Sequence, residues 1–136
     1  MSSPPARRRD RGLAVVEAAL LFPLLMLLLF SVIEYGWLFV RIQEIGSAAH
    51  VGARTAARSD ATAGVVTAAV DGVLADAGIT GATVTLSPSD PQTAAPGQMV
   101  TVTINLPYVN VRLTGFPLPL PDALERECTM AREGLN

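Results

Sequence analysis

One long apolar segment constrains the fold of this chain more than any other feature. Residues 13–40 read LAVVEAALLFPLLMLLLFSVIEYGWLFV, and only Glu17 and Glu34 in them are charged. A helix rises about 1.5 Å per residue, so roughly 20 residues cross a hydrocarbon core of about 30 Å. Pro23 removes one helical hydrogen bond, which membrane helices tolerate. The segment therefore predicts a single transmembrane helix over residues 13–40.

The charges on either side of this segment predict its orientation. The leader, residues 1–12, carries four arginines and Asp10, a net charge of +4 − 1 = +3. Residues 41–136 carry six arginines and nine acids, a net charge of −3. Basic residues close to a span stay in the cytoplasm. We therefore expect a cytoplasmic leader and an exported domain over residues 41–136, on a chain that is single-pass in the cell membrane.

A removable secretory signal is the main alternative for such a segment. Secretory signals have an apolar region of about 7–15 residues followed by a cleavage site of small residues. The segment here is longer, and Ser31, Glu34 and Gly36 form no such site. The first cluster of small residues, at 47–49, lies too far downstream. The pattern favours a retained anchor.

The junction between leader and span has its own pattern. Gly12 ends the leader, and Glu17 is the fifth residue after it. A carboxylate inside a membrane helix is costly unless it reaches the surface or a partner. Glu17 either extends to the cytoplasmic surface or, if the chain is cut after Gly12, neutralises the new amine of Leu13 within an assembly. The second alternative describes a prepilin, in which pairing lowers the cost of a charge in hydrocarbon.

Four segments of the sequence resemble the TadE-like family, small pseudopilins of the tight-adherence (Flp-type) pilus system. They are the basic leader with GLAVVE at residues 12–17, LLFPLLMLLLFSVIEYGWLF at 20–39, AAHVGARTAA at 48–57, and TMARE at 129–133. The resemblance implies processing between Gly12 and Leu13 and a role for Glu17 in assembly. It also implies four partners: an aspartate-type prepilin peptidase, other pilins or pseudopilins, an inner-membrane assembly platform with its ATPase, and the lipid bilayer.

Two positions depart from the family pattern. Ala18 stands where major Flp pilins usually carry an aromatic residue after the glutamate, which favours a minor pseudopilin over the main filament subunit. His50 stands where family members often have arginine, and this difference changes no expected role.

The helix is expected to continue beyond the span to about residue 58. Apolar or small residues recur there at helical spacing, and Ala48, Gly52 and Ala56 repeat every four residues. Small residues at this spacing let another backbone approach closely. The partner is either the protein's own sheet or a neighbouring subunit, and both contacts can coexist.

The remaining sequence predicts a small α+β, pilin-like domain with a short antiparallel sheet. A second amphipathic helix is expected at about residues 62–77, with a break and a new N-cap at residues 59–62 and an end at Gly78. Alternating patterns predict strands at about 82–87 and 99–106, which form a hairpin, with a resumption of the second strand at 109–113. Residues 115–121 alternate proline with Phe116, Leu118 and Leu120, which predicts an extended connector with its apolar side chains tucked inward. The tail has helical propensity, but the family resemblance favours a third strand at about 124–132.

The sequence offers no set of residues for catalysis. His50 is the single histidine and is expected on an exposed helix face, and Cys128 is the single cysteine and is expected to be a small core residue. We therefore expect no enzyme activity, no metal and no cofactor. With ten arginines against twelve acids, the charge also argues against nucleic-acid binding.

The favoured hypothesis is a pseudopilin that is processed after Gly12 and that joins or primes a pilus or a related secretion filament. The alternative is an uncleaved, membrane-anchored module whose exported domain binds an extracytoplasmic ligand. A secreted enzyme is the third possibility, and it lacks a site. The mass of the mature N-terminus separates all three.

Overall fold

A computed structural model describes residues 7–115 and 117–134 of the chain, with side chains from residue 12 onward. Helix α1 (Arg7–Ala56) is 50 residues long, with Pro23 inside it. Along its first half, Leu13–Ile33, nearly all side chains are exposed, and we call this part the apolar arm. From Glu34 onward the helix packs against the rest of the chain. Within the described residues, α1 is the one helix long and apolar enough to cross a membrane.

Helix α2 (Ala63–Asp76) begins and ends as its sequence indicates. Thr62 caps its first turn, since the Thr62 hydroxyl accepts a hydrogen bond from the Val65 N–H at 3.3 Å. Gly78 adopts a left-handed conformation (φ +66°) just beyond its end, where the Ile79 N–H donates to the Leu74 carbonyl at 2.8 Å. One face of α2 is buried against α1 and the sheet, and it carries Val66, Val70 and Leu74.

Three antiparallel strands form the sheet in the order β1 (Thr83–Ser87), β2 (Met99–Pro107) and β3 (Ala123–Ala131). The central strand β2 buries alternate side chains against the helices, namely Val100, Val102, Ile104 and Leu106. The predicted α+β fold with a short antiparallel sheet is confirmed. The tail forms a strand despite its helical propensity, because pairing with β2 supplies its backbone partners, with Cys128 opposite Val102.

The small residues of α1 lie in the core of the domain. Ala48 and Ala56 are fully buried, and Gly52 lies between α2 and β2. A Cβ atom added to Gly52 would stand 2.5 Å from Val70 Cγ2 and 3.1 Å from Val102 Cγ1. The small-residue stripe therefore lets α1 approach this chain's own helix and sheet, which was the first of the two contacts considered for it.

Strand β2 runs alongside α1 in the opposite direction, which fixes the two ends of the domain. Val102 packs at Gly52, whereas Tyr108, just beyond β2, reaches Glu34. Eighteen helical residues separate Gly52 from Glu34, or about 27 Å along the axis. The end of β2 near Pro107 is therefore the end of the domain that lies next to the apolar arm.

The segment after β2 differs from its prediction. Residues 109–113 do not resume the strand, because the chain turns through a 3-10 turn at Tyr108–Asn110 and then lies against α1. In the connector that follows, Leu118 and Leu120 are half-buried, and Phe116 lies outside the described residues. Residues 1–6 of the expected leader also lie outside them.

Candidate functional site

The predicted processing residues lie at the N-terminal end of the apolar arm, the end farthest from the folded domain. Gly12, Leu13 and Glu17 are all exposed and helical, and no side chain comes within 4 Å of a Cβ built on Gly12. Among the described residues, no hydrogen bond or ion pair involves Glu17. The domain therefore does not cover the junction, and Leu13 and Glu17 are one helical turn apart on the same face.

Glu34, the other acid of the apolar segment, lies in a very different environment from Glu17. Its side chain is completely buried although it lies on the helix that carries the apolar arm. One carboxylate oxygen accepts hydrogen bonds from the Tyr108 hydroxyl at 2.7 Å and the Leu113 N–H at 3.3 Å. The other accepts from the Thr114 N–H at 2.8 Å and the Thr114 hydroxyl at 2.5 Å. Four donors thus replace the water that burial removes from the carboxylate.

Tyr108 is the buried donor to the Glu34 carboxylate. The tyrosine is 2% exposed, and burial together with its bond to Glu34 raises the pKa of its phenol above the ordinary value. The hydroxyl is therefore protonated at neutral pH and remains a donor to Glu34.

Two further side chains of α1, both within one turn of Glu34, bind the same loop. The Tyr35 hydroxyl donates to the Pro119 carbonyl at 2.8 Å, and the Trp37 indole N–H donates to the Val111 carbonyl at 2.7 Å. We call the described part of residues 108–122, held in this way against α1, the collar. Tyr35 and Trp37 thus hold protein backbone with their polar ends.

Arg41 completes the contact one turn beyond Trp37. Its guanidinium lies 4.2 Å from the centre of the Trp37 ring, donates to the Ala77 carbonyl at 2.8 Å, and pairs with Glu44 at 2.6 Å. Arg41 therefore joins the collar side of α1 to the end of α2. Its Nε atom is buried without a partner among the described residues.

Analysis of the sequence missed the collar, although one signal was present. A carboxylate at the end of an apolar segment requires either water or a set of donors. Glu34 is followed by Tyr35, Trp37 and Arg41, a run of polar-tipped side chains that can hold backbone carbonyls. The donors to Glu34 come from residues about 75 to 80 positions away, and no local pattern identifies them.

The two residues considered for chemistry lie apart from the collar. Cys128 Sγ is 3.7 Å from His50 Nδ1, with Cys128 half-buried on β3 and His50 exposed on α1. Within the described part of the chain, no group of three or more His, Cys, Asp or Glu side chains could hold a metal ion.

Comparison with protein-family models gives a match to the helical part of the chain. Residues 12–54 match the model of the family described as TadE-like protein, which confirms the resemblance found in the sequence. The match starts at Gly12, and it includes Glu17, Glu34 and Gly52. No curated protein and no solved structure matches the chain. The match covers 43 of the 136 residues.

Proposed function

We propose, from the TadE-like match over residues 12–54, that the chain is a minor pseudopilin of a tight-adherence (Flp-type) pilus or a related secretion system. A prepilin peptidase removes residues 1–12, and the mature protein acts in pilus assembly or adhesion. The observation that carries the proposal is the start of the family match at Gly12, the residue at which the leader ends. The protein acts as a substrate and an assembly subunit, and not as an enzyme.

The chemistry of the junction supports this role. Cleavage after Gly12 would convert the Leu13 amide into a free ammonium. Glu17 lies four residues further along the same helix face, about 6 Å along the axis. Since a lone charge in hydrocarbon is more costly than a pair, Glu17 favours a position where it meets the ammonium of a mature subunit, its own or a neighbour's.

The orientation of the chain in the membrane and its partners follow from this role. The leader, with its net charge of +3, stays in the cytoplasm, and the domain from residue 41 onward is exported. The implied partners are the prepilin peptidase, other pilins or pseudopilins, the inner-membrane assembly platform with its ATPase, and the lipid bilayer. Ala18, after the glutamate, favours a minor subunit over the main filament subunit.

Processing can be tested with a matched pair of glycine substitutions. Gly12→Val should leave the precursor at full length in membranes, because it blocks the bond to be cut. Gly36→Val is the control, since Gly36 also lies in α1 with no side chain within 4 Å of an added Cβ. The mature N-terminus is read by mass spectrometry. A native protein that begins at Met1 or Ser2 would contradict processing and favour the uncleaved binding module.

Assembly can be tested separately at Glu17. Glu17→Leu should still be cleaved but should be lost from the sheared appendage fraction, because the Leu13 ammonium then lacks its partner. Val16→Leu places the same side chain one residue away and should assemble normally. Equal amounts of wild type and Glu17→Leu in that fraction would refute the assembly role while leaving cleavage untouched.

A further inference from the structure

The collar exposes apolar side chains at the end of the domain that lies next to the apolar arm. Val109 is 74% exposed and Leu113 is 51% exposed. We propose that the collar rests in the boundary between headgroups and acyl chains of the bilayer, so that the domain is seated directly on the membrane. This proposal rests on membrane anchoring by the arm and is independent of cleavage and pilus assembly.

The contacts with α1 give the position of the collar along the helix axis. The Val111 carbonyl lies at Trp37, and the Leu113 and Thr114 amides lie at Glu34. Between these contacts the chain moves three helical residues toward the arm, about 4.5 Å. It returns to Tyr35 at Pro119. Within the described residues, the part of the collar around Thr114 and Gly115 is therefore the part of the domain nearest to the arm.

The length of the arm matches the thickness of a bilayer. Leu13–Ile33 contains 21 residues, or about 31 Å of helix, against a hydrocarbon core of about 30 Å. The next residue, Glu34, is already enclosed by the collar. In this arrangement the helix crosses the hydrocarbon core over Leu13–Ile33, and the collar and α2 contact α1 from Glu34 to Arg41. An arm that fills the core brings the collar to the interface.

The chemistry of the collar suits that boundary. Leu113 and Val109 are apolar and exposed, so their side chains can enter the acyl region. Pro117, Pro119 and Pro121 carry no N–H groups, so the returning segment has fewer donors that need water. The collar also adjoins the apolar arm, because the Leu113 N–H binds Glu34, the residue that directly follows Ile33. A helix that crosses the bilayer up to Ile33 places its next residue, and the collar bound to it, at the membrane surface, which favours the bilayer over a protein partner as the occupant.

The proposal can be tested on the full chain in vesicles made of equal parts phosphatidylcholine and phosphatidylglycerol. With Cys128 replaced by serine, a bimane label is placed in turn by Leu113→Cys, Val109→Cys, Val32→Cys and Met99→Cys. Val32 is 65% exposed on the arm and marks lipid contact. Met99 is 61% exposed at the opposite end of β2 and marks the aqueous domain. Quenching is measured with nitroxide-headgroup lipids and with iodide.

The expected result is that labels at Leu113 and Val109 lose most of their fluorescence to the nitroxide lipid, as does the label at Val32. They should also be protected from iodide, whereas the label at Met99 shows the reverse. If both collar labels behave like Met99 while Val32 is quenched, the collar stands in water and the proposal is overturned. Circular dichroism of each variant verifies folding, and using two collar positions guards against a local disturbance at either one.

Discussion

Replacing Glu34 with leucine should release the collar from α1. The substitution removes the common acceptor of four hydrogen bonds, which come from Tyr108, Leu113 and Thr114. Leucine is apolar and of similar length, so the helix itself should persist. The lost hydrogen bonds are therefore those between α1 and the collar.

The size of the effect follows from the exposure of each donor. Leu113 is exposed and Thr114 half-buried, so their groups recover hydrogen bonds to water at small cost. The Tyr108 hydroxyl is buried, and an unsatisfied buried donor costs about 1–3 kcal/mol. Hydrogen bonds to a charged acceptor contribute about 1.5–3 kcal/mol each. We expect Glu34→Leu to lower the free energy of opening the collar by about 3–5 kcal/mol.

Limited proteolysis in detergent micelles measures this opening. Arg112 lies in the collar, and trypsin cleavage after it requires the loop to leave α1. At about 1.4 kcal/mol per tenfold change, cleavage should accelerate by roughly 100-fold or more. Trp37 is the single tryptophan, and its indole N–H binds the Val111 carbonyl, so its fluorescence reports the same opening. Glu17→Leu is the control, because Glu17 is exposed on the same helix, no hydrogen bond or ion pair among the described residues involves it, and its loss should change cleavage little.

A double-mutant cycle with Tyr108→Phe tests the assigned cause. If the two side chains act through their shared hydrogen bond, the double variant should cost about 1.5–3 kcal/mol less than the sum of the single variants. Strictly additive costs, or unchanged cleavage after Arg112 in Glu34→Leu, would show that the collar is held by other contacts.

Three other predictions concern the domain itself. Gly52→Ala should lower the free energy of unfolding by about 1–3 kcal/mol, because the added Cβ would overlap Val70. Gly72→Ala lies on an open helix surface and should raise the free energy of unfolding by about 0.5–1 kcal/mol. Thermal melts of both variants check this. Folding raises the pKa of Tyr108, so the contribution of Tyr108 to the free energy of unfolding should be complete below about pH 10 and should decline at higher pH. In thermal melts across the alkaline range, Tyr108→Phe should lose stability less steeply with pH than the wild type. A parallel decline in both proteins would contradict this. Arg132→Met should lower stability by about 2 kcal/mol or more, because Arg132 donates to the carbonyls of Gln92, Ala94 and Ser59 near the end of β3; an unchanged melting temperature would count against that role.

Local pattern alone determined much of the fold. The apolar run predicted the long helix, the alternation of Val100, Val102, Ile104 and Leu106 predicted the central strand, and Thr62 and Gly78 predicted the limits of α2. These features follow from the spacing of apolar residues and from capping, both of which act over a few residues. The processing residues Gly12, Leu13 and Glu17 came from the same kind of local pattern, and their role remains a prediction.

Tertiary structure decided what local pattern left open. The tail became a strand because β2 supplied hydrogen-bond partners, and the stripe of Ala48, Gly52 and Ala56 was used within the chain because Val70 and Val102 fit against it. Glu34 acquired donors from a loop about 75 to 80 residues away, which no local spacing encodes. The sequence determined that a carboxylate stands at the end of the apolar arm. Only the tertiary packing determined that this carboxylate accepts its hydrogen bonds from protein groups and not from water. The reason is that its partners depend on which distant donors the folded chain brings within hydrogen-bond distance.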